Sequence, residues 1–238
     1  MKMLKPIFAG LLLMSSAYLQ AQTADDVVTK HIAAIGGKDV ISKIKSQIVE
    51  ADLSVMGSTL SSKTYILVGK GFRNEANFNG QDIIQAVTPT QGWMINPLQG
   101  MTDPQPLPED QVKAAQSAFD LGGDLYNYKE KGSKVELAGN ENVDGINAIK
   151  MKLTNKEGKE SLFFIDPATY YVVKRESTQS ANGQDVTVTQ NFSNFKKTDI
   201  GYVIPYTTVT NQGFEITINV NKVEFNKEID PKIFEMPK

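Results

Sequence analysis

NGQDIIQAVTPTQGWMINPLQGMTDPQPLPEDQVKAAQSAFDLGGD, residues Asn79–Asp124, is the stretch on which the reading of this chain turns. Two short apolar runs, Ile83–Val87 and Trp93–Ile95, are divided by Pro89 and Gly92, which reads as strand, turn, strand. Pro97, Pro104, Pro106 and Pro108 then make a stiff loop, since each fixes its φ and removes a backbone donor. Pro108–Leu121 is the helix candidate. Pro108 suits the first turn, Glu109 and Asp110 complement the helix dipole, and Gly122-Gly123 stop it. Val112, Ala115 and Phe119 form an apolar stripe on an otherwise polar surface, so the helix lies on the outside of something, as a lid does.

Outward from that stretch, the pattern is β. Val49, Ala51, Leu53 and Val55 alternate with Glu50, Asp52 and Ser54 from Ser46 on. Thr59–Gly69 and Phe72–Phe78 continue the meander into the Asn79-Gly80 hairpin signal. After the lid helix come Val135–Leu137, then Ile149, Met151 and Leu153, Leu162–Ile165, Tyr170–Arg175, and Val186, Val188, Gln190 and Phe192. They are divided by Asp144-Gly145, Glu157-Gly158, Asp166-Pro167 and Asn182-Gly183. Asp199-Ile200-Gly201 and Asn211-Gln212-Gly213 separate the last runs, where Phe214, Ile216, Ile218 and Val220 alternate with Glu215, Thr217 and Asn219. Roughly ten or eleven strands with short turns and no βαβ rhythm predict one antiparallel sheet curved around a core. Ahead of it, Ala24–Gly37 spaces Val27, Val28, His31, Ile32 and Ile35 as a helix, and Lys38–Ile44 is a second, short one. The expected class is mainly β with α, a half-open β-barrel capped by N-terminal and lid helices.

The 238-residue chain carries a net charge of −2, so nothing in its composition favours nucleic acid. Lys2 and Lys5, the apolar Ile7–Met14 and the small, polar Ser15–Ala21 read as a signal peptide over residues 1–21, cleaved near Ala21. Residues 22–238 then form a single domain, and no later run is long enough to span a bilayer as a helix. Cysteine is absent, which excludes disulfides, a thiol nucleophile, thiolate metal sites and an acylated cysteine after the leader. An exported, periplasmic protein is expected.

Chemistry-bearing residues are sparse. His31 is the sole histidine and lies on the apolar side of its helix, where packing explains it. Asp144, Asp166 and Asp199 sit in turns that favour short polar side chains, and no GxSxG, HExxH or P-loop spacing occurs. The expectation is therefore no catalytic residue, no metal and no cofactor. What remains are apolar candidates: Phe72, Phe78 and Trp93, which either line a ligand cavity or simply fill the core, the adaptable Met94 and Met101, and Val112 and Phe119 from the lid. Arg73 is either an ordinary solvated strand arginine or a residue that holds the lid through a backbone carbonyl or meets a head group.

Four stretches resemble the periplasmic lipoprotein-sorting proteins of the LolA/LolB-like superfamily. QTADDVVTKHIAAIGGKDVISKIKS (Gln22–Ser46) is similar to their opening of helix, double glycine and short second helix. GKGFRNEANFNGQDIIQAVTPTQGWMINP (Gly69–Pro97) resembles their strand with an aromatic and an arginine, then a hairpin ending in tryptophan. NENVDGINAIKMKLTNKEGKESLFFIDPATYYVVKRES (Asn140–Ser177) is similar to their central hairpin, and EFNKEIDPKIFEMPK (Glu224–Lys238) to their ending. The resemblance implies an unclosed, strongly curved barrel with helices plugging its mouth and an apolar cavity that takes acyl chains of lipoproteins or lipids; a monomer is expected, with envelope transport components as candidate partners. Lacking cysteine, the chain departs from the acyl-anchored receptors of that family. Two other function classes stay open: a carboxylate-dependent extracytoplasmic hydrolase, and a non-catalytic structural or binding module of the envelope.

Overall fold

The computed structural model describes residues 22–181 and 184–237, so the expected leader and the Asn182-Gly183 turn lie outside the described residues. The strands are β1 (Ser46–Val55), β2 (Ser58–Leu67), β3 (Gly71–Phe78), β4 (Gln81–Val87), β5 (Gly92–Asn96), β6 (Met101–Pro106), β7 (Lys134–Val143), β8 (Ile146–Thr154), β9 (Glu160–Ile165), β10 (Val172–Ala181), β11 (Gln184–Lys197), β12 (Val203–Asn211) and β13 (Glu215–Phe225). They join one sheet in the order β6-β5-β4-β3-β2-β1-β13-β12-β11-β10-β9-β8-β7. Two hairpin meanders meet where the first strand pairs antiparallel with the last, from Gln47 opposite Phe225 to Val55 opposite Ile216. The outer strands β6 and β7 do not meet, so the sheet is a curved, half-open barrel.

Three local expectations are corrected. The proline-rich loop contains a strand: β6 pairs with β5, Met101 opposite Asn96 and Pro106 opposite Trp93. An edge strand has one unbonded side, so it tolerates prolines that a central strand would reject. With this addition and the finer division of the second half, the strands among the described residues number thirteen rather than ten or eleven. The lid helix is shorter than its pattern: α3 spans Glu109–Ala115 and tightens into a 3₁₀ turn over Gln116–Phe119. Likewise α2 covers Lys38–Ile41 instead of running to Ile44.

The first helix, α1 (Ala24–Ala34), starts at a capping box in which Thr23 and Asp26 each satisfy the other's backbone donor. Its end packs tightly. Gly36, at φ +126°, approaches so closely that a Cβ there would lie 2.8 Å from the Gly201 carbonyl oxygen. Valine, isoleucine and aromatic alternation gives the sheet two unlike faces. One packs beneath α1, α2 and α3. The other carries the charged partners of the same strands, such as Lys63–Glu50, Lys150–Glu141, Lys174–Glu176 and Lys222–Glu224.

Candidate functional site

The helices occupy one end of their face. Near the turns at residues 68–70, 88–91, 166–171 and 198–202, Val27, Ile32, Ile41 and Ile44 bury against Ile149, Ile165, Ile204 and Phe225. On the other wing, Val112 and Phe119 close on Ile66, Val87 and the half-buried Phe72 and Leu107. Leu121 packs against both groups, so the segment after α3 bridges the wings. Hydrogen bonds stitch it down, among them one from the Tyr202 hydroxyl to the Leu121 carbonyl at 2.7 Å and one from the Gly69 amide to the Phe119 carbonyl at 3.3 Å. Burial, with Asp120 nearby, pushes the Tyr202 phenol up to about 12, which keeps it a donor at every physiological pH.

Toward the opposite end, where the hairpins β1–β2 and β12–β13 turn, no helix among the described residues lies over the same face. Val49, Leu53 and Val55 of β1 stand beside Ile216, Ile218 and Val220 of β13, and all six are half-buried. Pairing through β2 and β3 places Phe78, Ile83 and Met94 on this face too, with Thr64, Asn74 and Gln85 between them. On the other side Thr208, Thr210 and Gln190 continue it. The result is an aliphatic strip down the middle of the sheet with polar, uncharged flanks. At its end two hairpin tips expose Met56 (83%) and Phe214 (39%), carrying apolar surface out to the rim.

The residues singled out from the sequence divide by face. Phe72, Val112 and Phe119 come together in one cluster under α3. Met94 and Phe78 share their face nearer the open strip, and Met101 lies on the edge strand, half-buried. Trp93 and Arg73 face the other way. The Trp93 Nε1–H donates to the Phe234 carbonyl at 2.9 Å and Arg73 Nη1 to the Ile233 carbonyl at 2.7 Å. Arg73 also lies 5.2 Å from the Trp93 ring centroid and pairs with Glu75. Thus the arginine does find a backbone carbonyl, but on the C-terminal 3₁₀ turn Pro231–Phe234 rather than on α3. The Phe234 ring fills the space over Gly71, where a Cβ would come within 2.7 Å of it.

His31 is buried in α1, with Nδ1 donating to the Tyr170 carbonyl at 2.8 Å. Its pKa is lowered by burial, opposed by that hydrogen bond. Beside it, a groove of about 410 Å³ runs between α1 and the 125–130 segment, lined in part by Val28, Ile32, Leu125 and Tyr128. Asp25 sits at its rim and is held below the usual carboxylate range by hydrogen bonds from Lys129 and then Tyr128. A second groove of about 660 Å³ flanks α3 beside Leu107, Val112 and Met236. Among the described residues no group of acidic, histidine or cysteine side chains has metal-binding spacing, and no helix is long and apolar enough to cross a membrane.

Sequence reasoning passed over the central strip. Its signal was the cleanest alternation in the chain, at Val49–Val55 and Phe214–Val220, which names the buried face without saying whether anything covers it.

No protein-family model and no curated protein sequence matches the chain. Solved structures do. An outer membrane lipoprotein-sorting protein domain from Vibrio parahaemolyticus, so described, superposes with a TM-score of 0.57 at 15% identity, over 88% of this chain and 94% of its own. A LolA superfamily protein from Nitrosomonas europaea gives 0.58 at 15% identity, over 90% and 98%. A DUF1329 family protein from Desulfovibrio piger gives 0.56 at 18% identity, over 89% and 97%. The chain has the fold of these proteins along nearly all of its described length.

Proposed function

We propose that this chain is a periplasmic carrier that holds the acyl chains of a lipid or lipoprotein against the open strip of its sheet and passes them on toward the outer membrane. One observation carries it: six half-buried aliphatic side chains, Val49, Leu53, Val55, Ile216, Ile218 and Val220, lie side by side on the helix side of the sheet, and no helix among the described residues lies above them. A filled barrel would bury these residues as deeply as Ile165 or Met151, which are fully buried. An acyl chain laid along the strip removes apolar surface from water at roughly 0.8 kcal/mol per CH₂, so a chain of ordinary length binds without covalent chemistry or a cofactor. The likeness to a lipoprotein-sorting domain and a LolA superfamily protein points the same way.

The lining proposed here combines Phe72, Phe78 and Met94 with the central strip, with Val112 and Phe119 as the underside of the stop that closes the helical end. Release requires the chain to leave between the hairpin tips at Met56 and Phe214, because α1 and α3 block the other end.

The test is lipid mass spectrometry on protein purified without detergent, with titration of a C12–C16 fatty acid if it arrives empty. Stoichiometric acyl ligand is expected for the native chain and for Trp93→Phe, whose ring faces away. Leu53→Asp combined with Ile218→Asp is expected to lose it while keeping the circular dichroism of the sheet. A native chain that neither carries nor takes up acyl ligand would sink the proposal.

A further inference from the structure

The open face is almost free of charge, and the exception is specific. Following the pairing across the sheet, the row Ile216, Thr210, Gln190, Arg175, Phe163 and Met151 contains one charged side chain. The rows on either side, Leu53–Ile218–Thr208–Phe192 and Leu153–Ser161–Ser177–Val188, contain none. All other ionic side chains of β10 go to the opposite face, where Lys174 and Glu176 pair with each other. An arginine on an otherwise uncharged, partly desolvated surface costs free energy unless something answers it.

Only part of Arg175 is answered. Nη2 donates to Asp124 Oδ2 at 2.7 Å, and the guanidinium sits 5.5 Å from the Phe163 ring centroid. Its Nε–H is buried and has no hydrogen-bond partner among the described residues. A guanidinium offers five N–H donors in a planar fork suited to two oxygens of one oxyanion. The side chain stays about one-third exposed (31%), so it is reachable from the strip. Asp124 belongs to the segment that crosses from α3 to the other wing, on the helix side of the sheet.

We propose that Arg175 reads the polar end of the ligand: it binds an oxyanion, carboxylate or phosphate, attached to the acyl chain that lies on the Ile216–Ile218 strip. This rests on the carrier reading and deepens it, turning an apolar surface into a site for anionic amphiphiles. The apolar strip supplies affinity, and the fork sets which end of the molecule points toward β10. Asp124 repels an incoming anion while it holds the fork in place, so the pair discriminates between anionic and neutral head groups without neutralising the chain.

Isothermal titration of the full-length mature chain with dodecyl phosphate, dodecanoate, 1-dodecanol and inorganic phosphate tests this. The native chain should bind dodecyl phosphate and dodecanoate about tenfold or more tighter than dodecanol, the size expected of one charge-assisted contact. Inorganic phosphate should give no measurable binding. Arg175→Gln should reduce the preference to less than about threefold with dodecanol affinity unchanged, and Arg175→Lys should keep part of it. Asp124→Asn should keep or enlarge the preference, because it removes a like charge. If Arg175→Gln retains the native preference, the assignment of Arg175 is overturned and the strip stands. If Asp124→Asn abolishes the preference, the pair positions the loop and the assignment also falls. If inorganic phosphate binds as tightly as dodecyl phosphate, the site takes a free anion and not an acyl-linked one. If no dodecyl compound binds at all, the carrier reading fails and the inference with it.

Discussion

The two ends of the helix-covered face are built from the same kinds of residue and behave differently. Near the helices, Ile165 is fully buried beneath α1 and its neighbours. On the central strands of the same face, Leu53, Ile216 and Ile218 are only half-buried. Alternation makes a face apolar; cover makes it a core. Where the cover stops, the surface is available to something else.

The comparison can be broken most sharply by truncation at each end. Ile165→Ala, in the covered part, should cost about 2–5 kcal/mol in urea unfolding, since it leaves a cavity in a closed core. Ile218→Ala, on the open strip, should cost roughly 1 kcal/mol, the transfer of partly exposed methylene groups with no cavity. Equal costs at the two sites would mean that the strip is ordinary core, and the difference between the ends would vanish.

A smaller effect is expected on the opposite face, where the C-terminal turn is fastened. Trp93→Phe keeps a ring in place but removes the donor to Phe234, so a loss of about 1–2 kcal/mol is expected. Acyl uptake should not change, because Trp93 and the strip lie on different faces. Reduced uptake with unchanged stability would place the tryptophan in the site after all.

The mildest probe is pH at the covered end. The folded-state pKa of His31 is lowered from 6.5, chiefly by burial, so the unfolded chain takes up a proton that the folded chain resists. His31 therefore has no effect on stability well above pH 6.5, and its penalty sets in as pH falls below that value. Urea midpoints should decline from pH 7 to pH 5, a window above the carboxylate range in which Asp25 and Asp26 lose their own stabilising ion and cap contacts. His31→Gln should flatten that decline; an unaltered slope would show that another group is responsible.

Much of this organisation was legible from residues alone. The Asn79-Gly80 hairpin and the period-2 runs of β1 and β13 follow local rules, so they stood out without knowledge of distant contacts. Phe72, Val112 and Phe119 come together because an amphipathic helix sets its stripe on an apolar strand. Trp93 and Arg73 were placed by residue type, and type does not specify a face. The one-residue step from Met94 to Trp93 sends their side chains to opposite sides of the sheet. Arg175 gave no signal of its own, because its singularity exists only once five partner strands align their rows.

The sequence by itself determined the class of the fold, the antiparallel meander and the alternation within single strands such as β1 and β13, because those depend on spacing and turn chemistry within a few residues. Tertiary structure alone decided that β1 closes on β13, that β6 and β7 stay apart, and that the helices cover only one end. Those outcomes depend on contacts between residues far apart in the chain, which no local pattern encodes. From them come the open aliphatic strip and the lone arginine beside it, the two features on which the function proposed here depends.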